Sequence, residues 1–333
     1  MDLSPAFFIV PTIAFAFMNG ANDSGTMAAS VVSSRALSPR SAAVWAALGA
    51  FVGALLLGSA VAKTLGESLV HLNEIPPQAE PHQACIAAAS AAVLWGTVAW
   101  KFGWPGSYTH SLLGGWIGGF VALGGPDVVQ WNAAAWVLAG VLFTPVISLF
   151  ASWVAMRLFF KLGSELSMQT KWLFRGAERL LFGALCVAHG ANAAQKSMAL
   201  LVLAGLSYGQ AWPWPEEILL PMWVRMVCAT AFAAGVLLGF TTTLIKVGFG
   251  IFRVDTIHSF TALGVSGGLI LVSTLMGLPL SAGQINSSAL LGTGAGDRAR
   301  QVRWDAALGI FSNWALTFPV SAVMAYFLTK VLS

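Results

Sequence analysis

The chain has 333 residues, of which 57% are hydrophobic and only 9% charged, against about a quarter charged in an ordinary water-soluble domain. That balance excludes a soluble globular protein, and the net charge of +4 is spread over several loops rather than gathered into a patch for nucleic acid. Three cysteines, Cys85, Cys186 and Cys228, lie singly in apolar stretches, so neither a disulfide framework nor a zinc site is indicated.

The first residues, Met1-Asp2-Leu3-Ser4-Pro5, place an acid where a secretory signal carries basic residues, so the first apolar stretch is expected to remain. Apolar stretches then fall near 5–33, 41–65, 84–104, 106–123, 132–156, 180–204, 218–245, 257–278, 284–296 and 304–329, a working count of ten crossings. Arg35 and Arg40; Arg157, Lys161, Lys171, Arg175 and Arg179; Lys246 and Arg253; and Arg298, Arg300 and Arg303 mark the loops expected on the cytoplasmic side. The intervening loops carry Glu67, Glu74, Glu80, Asp127, Glu216 and Glu217, which puts both termini outside. Two stretches are poor as continuous spans. Asn19-Gly20-Ala21-Asn22-Asp23-Ser24-Gly25 and His189-Gly190-Ala191-Asn192 are expected to break their helices, because amide, imidazole and carboxylate groups are costly in hydrocarbon without partners. Stretches 106–123 and 284–296 follow Pro105 and Pro279, and read as re-entrant hairpin arms.

The two halves of the chain match in order: Gly20-Ala21-Asn22 with Gly190-Ala191-Asn192, Pro105 and Ser107 with Pro279 and Ser281, and Trp131-Asn132-Ala133-Ala134 with Trp304-Asp305-Ala306-Ala307. An odd number of crossings per half turns the second half over. The expected fold class is therefore an all-α polytopic membrane protein of two inverted-topology repeats, about five crossings each, with broken helices and re-entrant hairpins at the midplane. Residues 1–160 form the first repeat, 161–179 a short cytoplasmic linker and 180–333 the second repeat.

Broken helices expose backbone N–H groups and the positive end of the helix dipole, which favour an anion. Ser24, Ser107, Thr109 and Ser281 add hydroxyl donors, and Asn22 and Asn192 offer both donor and acceptor. Asp23 would repel an anion unless Na⁺ or a proton neutralises it, a physical route to ion-coupled uptake. The bland alternatives are helix capping by Asn22, Asp23 and Ser24, core packing of His110 and His189, and an interfacial Lys196.

The run Asn19 to Asp23, the loop Arg35-Ala36-Leu37-Ser38-Pro39-Arg40, the segment Val61 to Gly66 and the run His189 to Lys196 resemble the inorganic phosphate transporter (PiT) family over nearly the whole chain. The resemblance implies symport of phosphate with Na⁺ or H⁺, an inverted repeat and commonly a homodimer, in a lipid bilayer that is expected to be the bacterial inner membrane. Together with the broken-helix reading, it leads us to expect Asn22, Asn192, Ser107, Thr109, Ser281, Gln195 and Lys196 at the anion, and Asp23 with Asn22, Asn192 and Thr109 at the coupling cation, Na⁺ at Asp23 being one possibility. Ser24, His110, His189 and Gln284 are further candidates, and no cofactor is implied. The second half departs from the pattern: Ala193 stands where a second aspartate is expected, and Ala282, Gly283 and Gln284 replace Thr-Thr-His. The rival readings are a carrier for sulfate or another tetrahedral oxyanion, a non-transporting anion-binding membrane subunit and an intramembrane enzyme. The last is disfavoured because matching breaks are shared between the halves instead of grouping an acid, a base and a nucleophile.

Overall fold

The computed structural model describes residues 6–71, 74–77, 79–101, 106–162, 171–206, 220–248 and 252–333. Among these residues the secondary structure is helical: α1 (Ala6–Ser33), α2 (Pro39–Leu56), the short α3 (Ala60–Lys63) continued by a π-helical turn (Thr64–Ser68), α4 (Pro81–Lys101), α5 (Tyr108–Gly124), α6 (Trp131–Leu162), α7 (Lys171–Leu206), α8 (Met222–Gly248), α9 (Thr256–Leu275), α10 (Ala282–Arg298) and α11 (Trp304–Leu332). Ten of these helices coincide with the ten apolar stretches. A single bridge between Val70 and Val129 ties the loop after the π turn to the loop before α6.

Among the described residues, six helices are long and apolar enough to cross a membrane: α2, α4, α6, α8, α9 and α11. Their outward faces are oily, as on α6 with Trp136, Leu142, Phe143 and Phe150 exposed, and on α11 with Leu308, Val323, Phe327 and Val331 exposed. In water such faces would be a large apolar patch; here they meet lipid, and the chain is an integral membrane protein. The remaining long helices, α1, α5, α7 and α10, carry the motif residues singled out in the sequence and bury those turns inside the protein. Every described residue of α10 from Gln284 to Gly296 is buried, including Asn286, Ser287, Ser288 and Thr293. A helix face that meets protein needs no apolar surface, so polar residues are tolerated there.

The principal packings are α1 on α8, α2 on α7, α5 on α11 and α10 on α6. Close approach is set by glycine at all four, two of which bear on the site. A Cβ on Gly20 would stand 2.2 Å from the Phe232 carbonyl oxygen of α8, and one on Gly190 would stand 2.1 Å from the Ala50 carbonyl oxygen of α2. Backbones this near each other gain dispersion contacts that larger side chains would prevent.

One expectation is corrected here. Helices α1 and α7 run unbroken through Asn19–Gly25 and His189–Asn192. The polar side chains find lateral partners on neighbouring helices, so the backbone keeps its own ladder of hydrogen bonds and avoids unpaired groups at that depth. The interruptions fall between α4 and α5, and between α9 and α10, where hairpins were expected; Pro105 lies outside the described residues. The segment expected as a linker, 161–179, is helical at both ends: α6 reaches Leu162 and α7 begins at Lys171. With 36 residues, α7 rises about 54 Å at 1.5 Å per residue, well beyond a hydrocarbon core of about 30 Å. Its charged first turns carrying Arg175, Glu178 and Arg179 can therefore project past the lipid.

Candidate functional site

The starts of α5 and α10 meet head to head. Ser107 Oγ, on the N-cap of α5, lies 3.0 Å from Ser281 Oγ, on the N-cap of α10, within hydrogen-bond distance. Ser107 Oγ also accepts from the His110 backbone N–H at 3.2 Å, satisfying one leading amide of α5. Ser281 makes no side-chain cap bond on α10, which leaves that helix start with donors and a positive dipole end facing its neighbour. The His110 ring continues the network: Nδ1 lies 2.8 Å from Ser107 Oγ and 3.2 Å from Gln284 Nε2.

Lys196 of α7 reaches the same junction. Its Nζ donates to Thr109 Oγ1 and to the Leu280 carbonyl oxygen, each at 2.7 Å, while Thr109 Oγ1 itself donates to Leu280 O at 3.2 Å. The lysine is only 2% exposed, and among the described residues no carboxylate approaches its ammonium within 4.0 Å. A buried, unpaired charge is costly, and its natural complement is an anion. This excludes the interfacial reading of Lys196.

A second group sits beside the first. Asn22 Nδ2 donates to the Gly106 carbonyl oxygen in the α4–α5 interruption and to Asp23 Oδ1, both at 3.1 Å. The other carboxylate oxygen of Asp23 lies 3.1 Å from His189 Nε2. Asp23 faces the first turn of α10, since a Cβ on Gly283 would stand 3.0 Å from Asp23 Oδ1. Asn192 does for the α9–α10 interruption what Asn22 does for the other: its Nδ2 donates to Leu278 O at 3.0 Å and to Thr274 Oγ1 at 3.1 Å. The capping role considered for Asn22, Asp23 and Ser24 is ruled out by their mid-helix position.

Ser107, Thr109, Ser281, Lys196, His110 and Gln284 therefore converge, and Asn22, Asp23 and His189 adjoin them. Two candidates go elsewhere. Gln195 uses both ends of its amide on the chain around α3, accepting from Val61 N at 2.8 Å and donating to Leu57 O at 3.0 Å. Ser24 donates to the Ala21 carbonyl oxygen of its own helix at 2.8 Å. The carbonyl oxygens of Gly106 and Leu280 were not anticipated, because a backbone oxygen carries no sequence letter. The nearby Pro279 marked the interruption without naming the atom it exposes.

A model of the phosphate transporter family matches residues 19–182 and again 163–325, together most of the chain. The chain belongs to that family. Two relatives are each named "Probable low-affinity inorganic phosphate transporter". One, from Bacillus subtilis (strain 168), is 30% identical over 331 residues, covering 97% of this chain and 96% of its own. The other, from Rhizobium meliloti (strain 1021), is 29% identical over 340 residues, covering 98% and 97%. Among solved structures the fold is similar to "The sodium-dependent phosphate transporter", with a TM-score of 0.85 at 20% identity over 98% of each chain. The PiT resemblance seen in the two motif runs thus holds across the family fold, with the departures at Ala193 and Gln284 remaining features of this chain.

Proposed function

We propose that the protein is a cation-coupled symporter of inorganic phosphate in a bacterial inner membrane, both termini outside, with the anion bound where α5 and α10 meet. One observation carries the reading: a buried lysine ammonium, without a carboxylate partner among the described residues, held at the junction of two opposed helix starts. Fixed charge, hydroxyl donors and dipole ends all favour an oxyanion there. In the present conformation Ser107 and Ser281 touch, so a tetrahedral anion enters by parting the two hydroxyls and replacing their contact with its own. Phosphate is favoured over sulfate because it carries a proton to donate at neutral pH. The buried oxygens Gln284 Oε1 and Asn192 Oδ1 have no hydrogen-bond partner and offer acceptors for it. The names of the family and of its relatives point the same way.

The two halves act in this reading as inverted repeats meeting at the junction. Support comes from the paired contacts: α1 on α8 is answered by α7 on α2, α5 on α11 by α10 on α6, and Asn22 on Gly106 O by Asn192 on Leu278 O. Asp23, beside Asn22, neutralises the coupling cation, which we take as Na⁺ after the sodium-dependent neighbour of similar fold. The 3.1 Å contact of Asp23 with His189 favours a second version in which the pair holds a proton instead.

Uptake of labelled phosphate into proteoliposomes under an imposed Na⁺ gradient, and then under a pH gradient, tests both. Accumulation driven by Na⁺ alone is the expected result. Accumulation driven by pH alone selects the proton version, and stronger competition by sulfate than by unlabelled phosphate overturns the substrate.

A further inference from the structure

Below the junction a polar seam runs along three helices. On α10, Gly283, Asn286, Leu290, Gly294 and Asp297 follow one another at three- and four-residue steps, so they share one face. On α1, Asp23, Thr26 and Ser30 do the same, and α9 contributes Ser266 and His258. Two cavities lie along this face. The inner one, about 10 Å³, has room for a single water and is lined by Thr26, Ser30, Ser266, Asn286 and Leu290. The outer one, about 270 Å³, is lined by Arg253, Asp255, His258, Gly294, Asp297 and Arg298. It sits at the end of α10 that carries the arginines expected on the cytoplasmic side.

Asn286 is the anomaly of the seam. It is 7% exposed, and neither its Oδ1 nor its Nδ2 has a hydrogen-bond partner. Burying an amide with nothing to bond is unfavourable, and a side chain kept in that state beside a cavity is suited to something that passes. Its two ends match a phosphate ion, which both accepts and donates. Between the cavities stands a small apolar cluster that includes Ala29, Ala262, Leu290, Val254 and Val302, with Phe252 packed on it. The carboxylates at the outer cavity are already engaged: Asp297 lies 3.3 Å from His258 Nε2 and 3.9 Å from Arg298 Nε, and Asp255 caps α9. Arg253 has no carboxylate within 4.0 Å among the described residues.

We infer that this seam between α1, α9 and α10 is the route by which the anion leaves the junction toward the cytoplasm, with Asn286 as its intermediate contact, Leu290 as its closure and the arginine-lined cavity as its mouth. The inference rests on the phosphate-carrier reading and adds the path.

Single-cysteine substitution tests it. The native cysteines are all buried, so the unsubstituted protein supplies the blank. Asn286→Cys and the nearly isosteric Ser30→Cys are exposed to a membrane-impermeant methanethiosulfonate from each face of sealed vesicles. Modification from the cytoplasmic face is expected about tenfold faster than the blank, because a minor open state populated at a few per cent suffices; saturating inorganic phosphate should slow it, and modification should stop uptake. Ser30→Cys carries the test alone if Asn286→Cys fails to assemble. Modification from the opposite face only, or of neither cysteine in protein that still takes up phosphate, overturns the route. In a second arm, Asn286→Leu should lower the uptake rate about tenfold with equilibrium phosphate binding unchanged, and unchanged uptake overturns the role given to Asn286. Absence of phosphate uptake by the unsubstituted protein is a different result, and it removes the carrier reading itself.

Discussion

Helices α1 and α7 present the same asparagine to the same kind of target and then diverge. Asn22 holds the carbonyl of Gly106, and Asn192 holds that of Leu278, so each central helix pins one interrupted pair. After Asn22 comes Asp23, a carboxylate shared with His189; after Asn192 comes Ala193, with Lys196 one turn further on. One helix thus offers a negative charge that asks for a cation, and the other a positive charge that asks for an anion. The shared residue holds the backbone, while in the proposed reading the differing charge sets which ion each side of the junction serves. Two helices that hold the backbone alike need not carry the same chemistry.

The sharpest way to break that contrast is to remove the ammonium. Lys196→Met is expected to lower the initial rate of phosphate uptake by about 100-fold or more, corresponding to about 3 kcal/mol for a charge-assisted contact. Thr109 Oγ1 already bonds Leu280 O directly, so the junction keeps a contact without the lysine and the loss reports on charge. Uptake within twofold of the unsubstituted rate would leave the lysine a packing residue. Next in size is Asp23→Asn, which keeps shape and polarity but removes the negative charge. We expect the rate to fall by about tenfold and the remainder to ignore an imposed Na⁺ or pH gradient. Persistence of the gradient response would move the coupling ion elsewhere. Ala193→Asp sharpens the comparison from the other side. A carboxylate at 193 lies three residues from Lys196 on the same helix, within pairing distance, and would neutralise the charge held for the anion. The phosphate concentration giving half-maximal uptake should rise by about tenfold, and an unchanged value would show that Lys196 does not set affinity.

Much of this was legible in the sequence, for reasons that differ by residue. The ten long helices were readable because lipid demands long apolar runs, and Ser107, Ser281, Thr109 and Asp23 because hydroxyls and carboxylates are conspicuous in such runs. The expectation that Asn19–Gly25 and His189–Asn192 break their helices was wrong, since polarity was taken as a sign of an open backbone. The structure spends that polarity sideways instead, from α1 and α7 onto the true interruptions. Whether a polar side chain meets its own backbone or a neighbour depends on packing between residues 84 positions apart, as for Asn22 and Gly106, and local sequence does not encode that. Gln195 shows the same limit: it stands one residue from Lys196, yet it faces α3 and not the junction.

The smallest expected effect bears on the part the two helices share. Gly20 of α1 and Gly190 of α7 allow close approach to α8 and α2, but not equally. A Cβ on Gly190 would meet three backbone atoms of Ala50 at 2.1, 2.3 and 2.5 Å, whereas one on Gly20 would meet the Phe232 oxygen at 2.2 Å and other atoms only from 3.0 Å. A single oxygen can be cleared by a small slide of one helix, but a whole backbone unit cannot. Gly190→Ala should therefore cost more than Gly20→Ala, both within the roughly 1–3 kcal/mol typical of overpacking, read as the lowering of the thermal midpoint in detergent. If the order reverses, α1 is the more tightly held of the two, and the division drawn here between a common packing frame and divergent ion chemistry would have to place the asymmetry in the frame as well.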